Sequence, residues 1–281
     1  MRRREDPDQR PGRRRLLATA LLGIGLSAAL VSSACGANVT TEKATAQKDK
    51  SPEASTAAGS SSQGGLPQGS EPVKLDPADF STNIDNPYWP MSPGNKWFYS
   101  ETDTVGGREK VVVEVTGKTK MIANGIEARV IRDTVTENGI PVEITDDWYA
   151  QDKAGNIWYL GEYVTNYKNG KVTGHSGSFE AGVDGAQPGI AMPANPEPGM
   201  TYRQEYYKGE AEDRAEVLST DEQVEVPFGY FKGALMTKDL VPLEPKVSEY
   251  KIYAKGVGPV LTVKTSGGSG REELVSYTQG G

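Results

Sequence analysis

A chain of 281 residues with 31 basic and 38 acidic side chains has a net charge of −7; so acidic a balance makes a poor binder of nucleic-acid phosphates. It holds one cysteine and one histidine, which excludes a disulfide frame and the usual zinc, copper and haem ligand sets. Residues 1–34 contain seven arginines and three acids, so the remainder has 24 basic and 35 acidic residues, net −11.

The chain opens with a basic stretch, Arg2, Arg3, Arg4, Arg10, Arg13, Arg14 and Arg15, followed by an apolar run from Leu16 to Val31 and the small residues Ser32, Ser33 and Ala34. A basic head, a short apolar centre and small residues are the parts of a secretory signal. The run of 16 residues falls short of the ~20 that a spanning helix needs. Cys35 follows directly, and Val31-Ser32-Ser33-Ala34-Cys35 resembles the lipobox of bacterial lipoproteins. That resemblance implies cleavage before Cys35 and a diacylglyceryl group on its thiol, making the membrane a partner. Two acyl chains on one residue give stable anchoring. Arg13-Arg14-Arg15-Leu16-Leu17 also resembles a twin-arginine export signal, with an arginine-rich general secretory signal as the alternative.

Residues 36–73 are rich in Ser, Thr, Ala, Gly, Gln, Lys and Glu, with Val39, Leu66 and Val73 as the large apolar side chains. Such a composition buries too little apolar surface to offset chain entropy, so the sequence predicts a disordered tether spanning about 30–37 Å. The expected organisation is a signal over 1–34, a lipidated Cys35 and flexible linker over 35–73, and a domain over 74–281.

All 22 aromatic residues lie between Phe80 and Tyr277, marking one domain of about 200 residues. Asn86-Pro87-Tyr88-Trp89-Pro90-Met91 is a rigid aromatic lead-in. Strands are expected over 96–101 and 109–116, the second with Val111, Val113 and Val115 on one face. Asn124-Gly125, Asn138-Gly139 and Asn169-Gly170 predict hairpin turns, because Asn-Gly tolerates positive φ. Residues 152–156 predict a further turn. On the intervening strands, Val142, Ile144, Trp148 and Ala150 share a face, as do Ile157, Tyr159, Tyr163 and Tyr167. Residues 176–199, rich in Gly and Pro without alternation, predict a long irregular loop. Further strands are expected over 201–207, 223–228, 230–240, 248–254, 258–264 and 272–277; residues 211–218 fit either strand or helix. The period-two pattern and regular turns give an all-β antiparallel meander of about ten strands, a strongly curved sheet or barrel.

His175 lies beside Ser176 and Ser178, too close in sequence for a spatially assembled nucleophile and base, and reads as a surface histidine. Asp152 with Asn156 lacks the spacing of a calcium loop. Asp146, Asp147, Glu162, Glu205, Glu210, Glu212 and Asp213 supply carboxylates of the kind used in glycoside hydrolysis, although charged strand residues are ordinarily solvated. Alternation puts Asp147 and Tyr149 on one face. No cofactor or metal site is expected.

Asn86-Pro87-Tyr88-Trp89-Pro90-Met91, Asp147-Trp148-Tyr149-Ala150-Gln151-Asp152, Gly182-Val183-Asp184-Gly185-Ala186-Gln187-Pro188-Gly189 and Tyr202-Arg203-Gln204-Glu205-Tyr206-Tyr207 resemble an uncharacterised family of exported bacterial proteins. The resemblance implies an all-β exported domain and no assigned activity.

These observations support a membrane-anchored binding or interaction module, not an enzyme, with a small apolar or glycan ligand. The alternatives are a carboxylate-dependent extracellular hydrolase of wall glycans and a structural or regulatory envelope protein with no small ligand. The expected site places the 176–199 loop, with Phe179 and Asp184, against Trp148, Tyr149, Tyr159, Arg203 and Glu205, since binding residues concentrate on loops carried by rigid sheets. The competing expectation is that this loop plugs a barrel end and the aromatics are core.

Overall fold

The computed structural model describes residues 65–103, 108–266 and 270–281. The expected signal, Cys35 and the tether up to residue 64 lie outside the described residues. After a 3-10 turn at Pro77–Asp79 come β1 (Phe80–Ser81), β2 (Lys96–Asp103), β3 (Arg108–Met121), β4 (Glu127–Glu137), β5 (Ile140–Asp152), β6 (Ile157–Lys168), β7 (Lys171–Gly174) and β8 (Phe179–Glu180). β9 (Gln187–Met192), β10 (Thr201–Arg203), β11 (Glu205–Tyr206), β12 (Arg214–Val226), β13 (Gly229–Leu240), β14 (Ser248–Ala254), β15 (Gly258–Ser266) and β16 (Gly270–Thr278) follow. The order across the sheet is β10-β12-β13-β14-β15-β16-β2-β3-β4-β5-β6-β9-β11, with β1, β7 and β8 attached beside it. The pairing is antiparallel, and the sheet is nearly closed into a barrel. Its sixteen strands exceed the ten expected, because short strands lie where an irregular loop and a single strand were predicted.

Turn chemistry follows the sequence at two of the three Asn-Gly pairs, whereas at Asn124-Gly125 the glycine alone has positive φ, 88°. Asn138 and Gly139 have φ of 51° and 78°, and Asn169 and Gly170 have 53° and 72°, the paired positive values of type I′ hairpins. The 152–156 turn is closed by the Asp152 carboxylate, which accepts from the Asn156 backbone N–H at 2.9 Å and from the Trp158 indole at 2.8 Å. Of residues 211–218, the part from Arg214 on is strand, with Ala215 opposite Asp239, while Ala211 forms an isolated bridge with Tyr207.

Two expectations are corrected. The shared face of Ile157, Tyr159, Tyr163 and Tyr167 is broken by a register shift where β6 passes Trp148 and Tyr149 of β5. A bulge residue inverts every later side chain, so Tyr159 is fully buried while Tyr163 is 49% exposed. The 176–199 stretch is not a cover over the sheet. It supplies β8 and β9, and β9 is barrel wall, pairing with β6 on one side and β11 on the other.

One end of the barrel is filled by the aromatic lead-in. The Trp89 ring lies 5.6 Å from Tyr149 and 5.9 Å from Tyr253. Buried Asn86 fixes this plug by donating to the carbonyls of Gly155 and Pro193 at 3.0 and 3.1 Å, and it accepts from the Tyr88 N–H at 2.9 Å.

The barrel closes at residues 201–206. β10 pairs with β12, and two residues later β11 pairs with β9. Gln204, between them, donates its backbone N–H to Asp213 at 2.8 Å. The Arg203 guanidinium is buried and donates to Pro188 of β9 at 2.8 Å and to the carbonyls of Gly69 and Glu71. The Arg203 backbone N–H donates to Pro67. Leu66 and Val73, within the stretch that composition assigns to the linker, rest against the core. Gly189 is required at the seam: a Cβ there would lie 2.2 Å from the Gln204 carbonyl oxygen. Gly189→Ala should force the seam apart at a cost of about 3 kcal/mol. The expected fall in Tm is roughly 6–12 °C for a domain of this size, measurable by circular dichroism; an unchanged Tm contradicts a close-packed seam.

Candidate binding site in the barrel interior

The interior face can be traced from a cavity beneath the plug. It is lined by Trp89, Trp97, Tyr99, Asp133, Asp147, Tyr149, Lys251 and Tyr253 among others, with about 40 Å³ open to water centres, room for roughly three waters. Side chains two apart on a strand, or directly opposite across a pair, share a face. Lys251 brings Glu249 with it on β14. Asp147 brings Thr145 and Glu143 on β5 and Glu162 on β6, and Asp239 stands opposite Glu249. All of these are buried, as are Glu205, Asp213 and Glu272. The interior is thus aromatic next to the plug and strongly acidic beyond it.

One part of this charge is neutralised. Asp239 accepts from Lys251 Nζ at 2.6 Å, from Thr237 Oγ1 at 2.9 Å and from Gln204 Nε2 at 3.2 Å. Burial pulls the Lys251 ammonium down, but Asp239 and Glu249 outweigh it and hold its pKa above the ordinary value. The same network ties the seam residue Gln204 to β13 and β14.

Other acids are less well provided for. Burial pushes the Glu162 carboxyl well above the usual range, and Asp147, Glu205 and Glu143 push it further. The nearby Tyr159 hydroxyl works the other way, but it donates to Asp147 at 3.0 Å. Glu205 is raised by burial and by Asp213, with Lys251 opposing. Among the described residues, neither carboxylate oxygen of Glu162 or of Glu205 meets a hydrogen-bond donor. Burial also raises Glu249 to about 8, against the pull of Lys251 and Lys264; Lys264 Nζ lies 3.9 Å away. Asp147, Glu162, Glu205 and Asp213 are therefore not the solvated strand charges that the sequence suggested. Asp146, by contrast, is a surface residue paired with Arg132 at 2.8 Å.

The expected site residues divide into three groups. Tyr149, Tyr159 and Phe179 come together, with ring centroids 4.9 Å apart for the first pair and 5.3 Å for the second. Arg203 and Glu205 lie at the seam, Arg203 engaged with backbone carbonyls and Glu205 turned into the acidic interior. Trp148 and Asp184 stand apart. Trp148 points to the other face of β5, where Lys120 Nζ sits 4.5 Å over its ring. Asp184 is exposed at the tip of a turn with φ of 49°, beside a shallow pocket of about 90 Å³ that includes Phe179 and Tyr207. His175 stacks on Tyr163 with centroids 4.7 Å apart and contacts the Val164 carbonyl through Nδ1 at 2.7 Å.

Asp133, Asp239, Glu249 and Lys251 were not singled out from sequence. Their signal was the alternation Glu249-x-Lys251-x-Tyr253, which an apolar-inside rule assigns outward because Tyr250 and Ile252 lie between.

Two outcomes follow. Lys251→Met leaves Asp239 buried without its cation and should cost about 3–5 kcal/mol, whereas Lys251→Met with Asp239→Asn should recover much of it; urea unfolding measures both. Glu249, with its folded pKa raised to about 8, binds more protons folded than unfolded between about pH 4.5 and 8. Its contribution is therefore fully present below that window and lost as pH rises through it. Glu249→Gln should flatten the decline of Tm between pH 5 and 8.5; an equally steep decline contradicts the assignment.

No protein-family model and no curated protein matches the chain. Among solved structures, it is similar to an inferred exported protein of Bacteroides fragilis with a YmcC-like fold, at 15% identity and a TM-score of 0.40, over 68% of this chain and 99% of that one. An inferred lipoprotein of Parabacteroides distasonis aligns at 13% identity and a TM-score of 0.38, over 69% and 99%. A β-barrel-like domain of unknown function from Brucella abortus aligns at 11% identity and 0.33, over 65% and 96%.

Proposed function

We propose that the protein is an extracytoplasmic lipoprotein, anchored to the membrane by a diacylglyceryl group on Cys35, whose barrel is a non-enzymatic binding module with its ligand in the interior. The observation that carries this reading is the pair of fully buried carboxyls, Glu162 and Glu205, without donors among the described residues. A barrel built only to be stable fills its interior with apolar side chains. Local rules are broken mainly where function requires it, and an unsatisfied interior acid is most simply accounted for by a partner that supplies the missing donors. The aromatic wall beside it offers contact area of the kind that small-molecule sites use.

The glycan-hydrolase alternative needs two carboxyls facing each other across a cleft that admits a sugar chain and a water. Here the acids line a barrel interior capped by Trp89, and the cavity of about 40 Å³ beneath it admits no sugar chain.

Cys35→Ala should move the protein from the membrane fraction to the medium or block its maturation; a variant processed and retained like the parent contradicts the anchor. Extracted from membranes and examined by native mass spectrometry, the parent protein should carry a small adduct beyond its lipid that is lost on denaturation. An adduct-free spectrum counts against a binding module.

A further inference from the structure

We infer that the ligand is a small organic polycation, an aliphatic amine with two or more ammonium groups, held between Glu162 of β6 and Glu205 of β11; this rests on the reading of the barrel as a binding module. Glu162 stands opposite Asp147 on β5. Glu205 follows the seam residue Gln204, and both of their backbone N–H groups point to the Asp213 carbonyl. Three strands and the segment before β12 thus bring Asp147, Glu162, Glu205 and Asp213 within electrostatic reach of one another. Glu162 is 1% and Glu205 0% exposed, and neither meets a donor among the described residues.

Two cations near these acids are already engaged. Lys251 is paired with Asp239 at 2.6 Å, and the Arg203 guanidinium is directed at the carbonyls of Pro188, Gly69 and Glu71. A neutral glycan or an apolar ligand, the classes expected from sequence, supplies no cation to hold the two buried carboxyls in their ionised form. An ammonium does, with three donors on a compact head.

A metal ion fits less well: among the described residues, no three acidic or histidine side chains converge as a metal site requires. An alkyl polyamine needs no such convergence, since separate nitrogens reach separate carboxylates. Tyr159 and Phe179, edge to face at 5.3 Å, offer ring surface beside Glu162 for methylenes and for cation–π contact. Glu205 also borders an open pocket of about 400 Å³ at the seam, whose wall carries Glu212 together with Arg203 and Arg214. The net −11 of the mature chain favours approach of cations.

The test is titration calorimetry of the full mature protein in detergent with spermidine, alongside calcium chloride, maltotriose and the neutral apolar probe N-phenyl-1-naphthylamine. Spermidine should bind at one site, and Glu162→Gln and Glu205→Gln should each weaken it at least tenfold. Because a variant can fail to fold, the Tm of the unaltered protein is read as well, and spermidine should raise it where maltotriose does not. Binding of maltotriose or the apolar probe in place of spermidine overturns the amine while leaving a binding module intact. Equal protection by calcium overturns it in favour of an inorganic cation. Spermidine binding indifferent to both substitutions overturns the site. Absence of binding by every probe, with no adduct in the native spectrum, overturns both readings.

Discussion

Closure of the barrel at residues 201–206 is the constraint on which the rest of the structure depends. An antiparallel sheet of this length has two edges, and exposed edges invite pairing with other chains. Here six residues serve both edges, turning from β12 to β9 at Gln204. The turn is possible because Gly189 lets β9 approach the Gln204 carbonyl and because Arg203 satisfies carbonyls from β9 and from the incoming segment 69–71. The Gln204 side chain then carries the closure inward to Asp239 and Lys251. Loosening the seam therefore disturbs the interior charges as well as the wall.

Those interior charges place stability and function in opposition. Asp239 and Lys251 show how buried charge is tolerated: a short ion pair with the remaining lone pairs taken by neutral donors. Glu162 and Glu205 lack such completion among the described residues, and their raised pKa values, set first by burial, mean that the free domain weakens as pH rises through those values. A ligand that brought donors to them would reverse that trend. The plug around Trp89 sets the other limit, since it leaves little open volume beneath it and puts aromatic rather than acidic surface at that end.

The sequence by itself determined the fold class, the hairpins and the aromatic lead-in. Asn138-Gly139 and Asn169-Gly170 needed no tertiary information, because positive φ at both central residues is a local property of those side chains. Asp147 and Tyr149 on one face followed from alternation alone. The signal and the lipobox-like Val31 to Cys35 are likewise readable from local pattern, and they lie outside the described residues.

Tertiary structure alone decided which face is inside and what fills it. One bulge residue near Gly161 inverts the later half of β6, burying Glu162 and exposing Tyr163, and no periodicity carries across an inserted residue. Residues 187–192, without alternation, become wall because β6 and β11 both pair with them and their outward and inward faces are equally covered. On β14 the polar set Glu249 and Lys251 is buried while Tyr250 and Ile252 are not. The apolar-inside rule fails there because an ionisable side chain is acceptable inside wherever another strand delivers its partner, and that partner is a neighbour in space rather than in sequence.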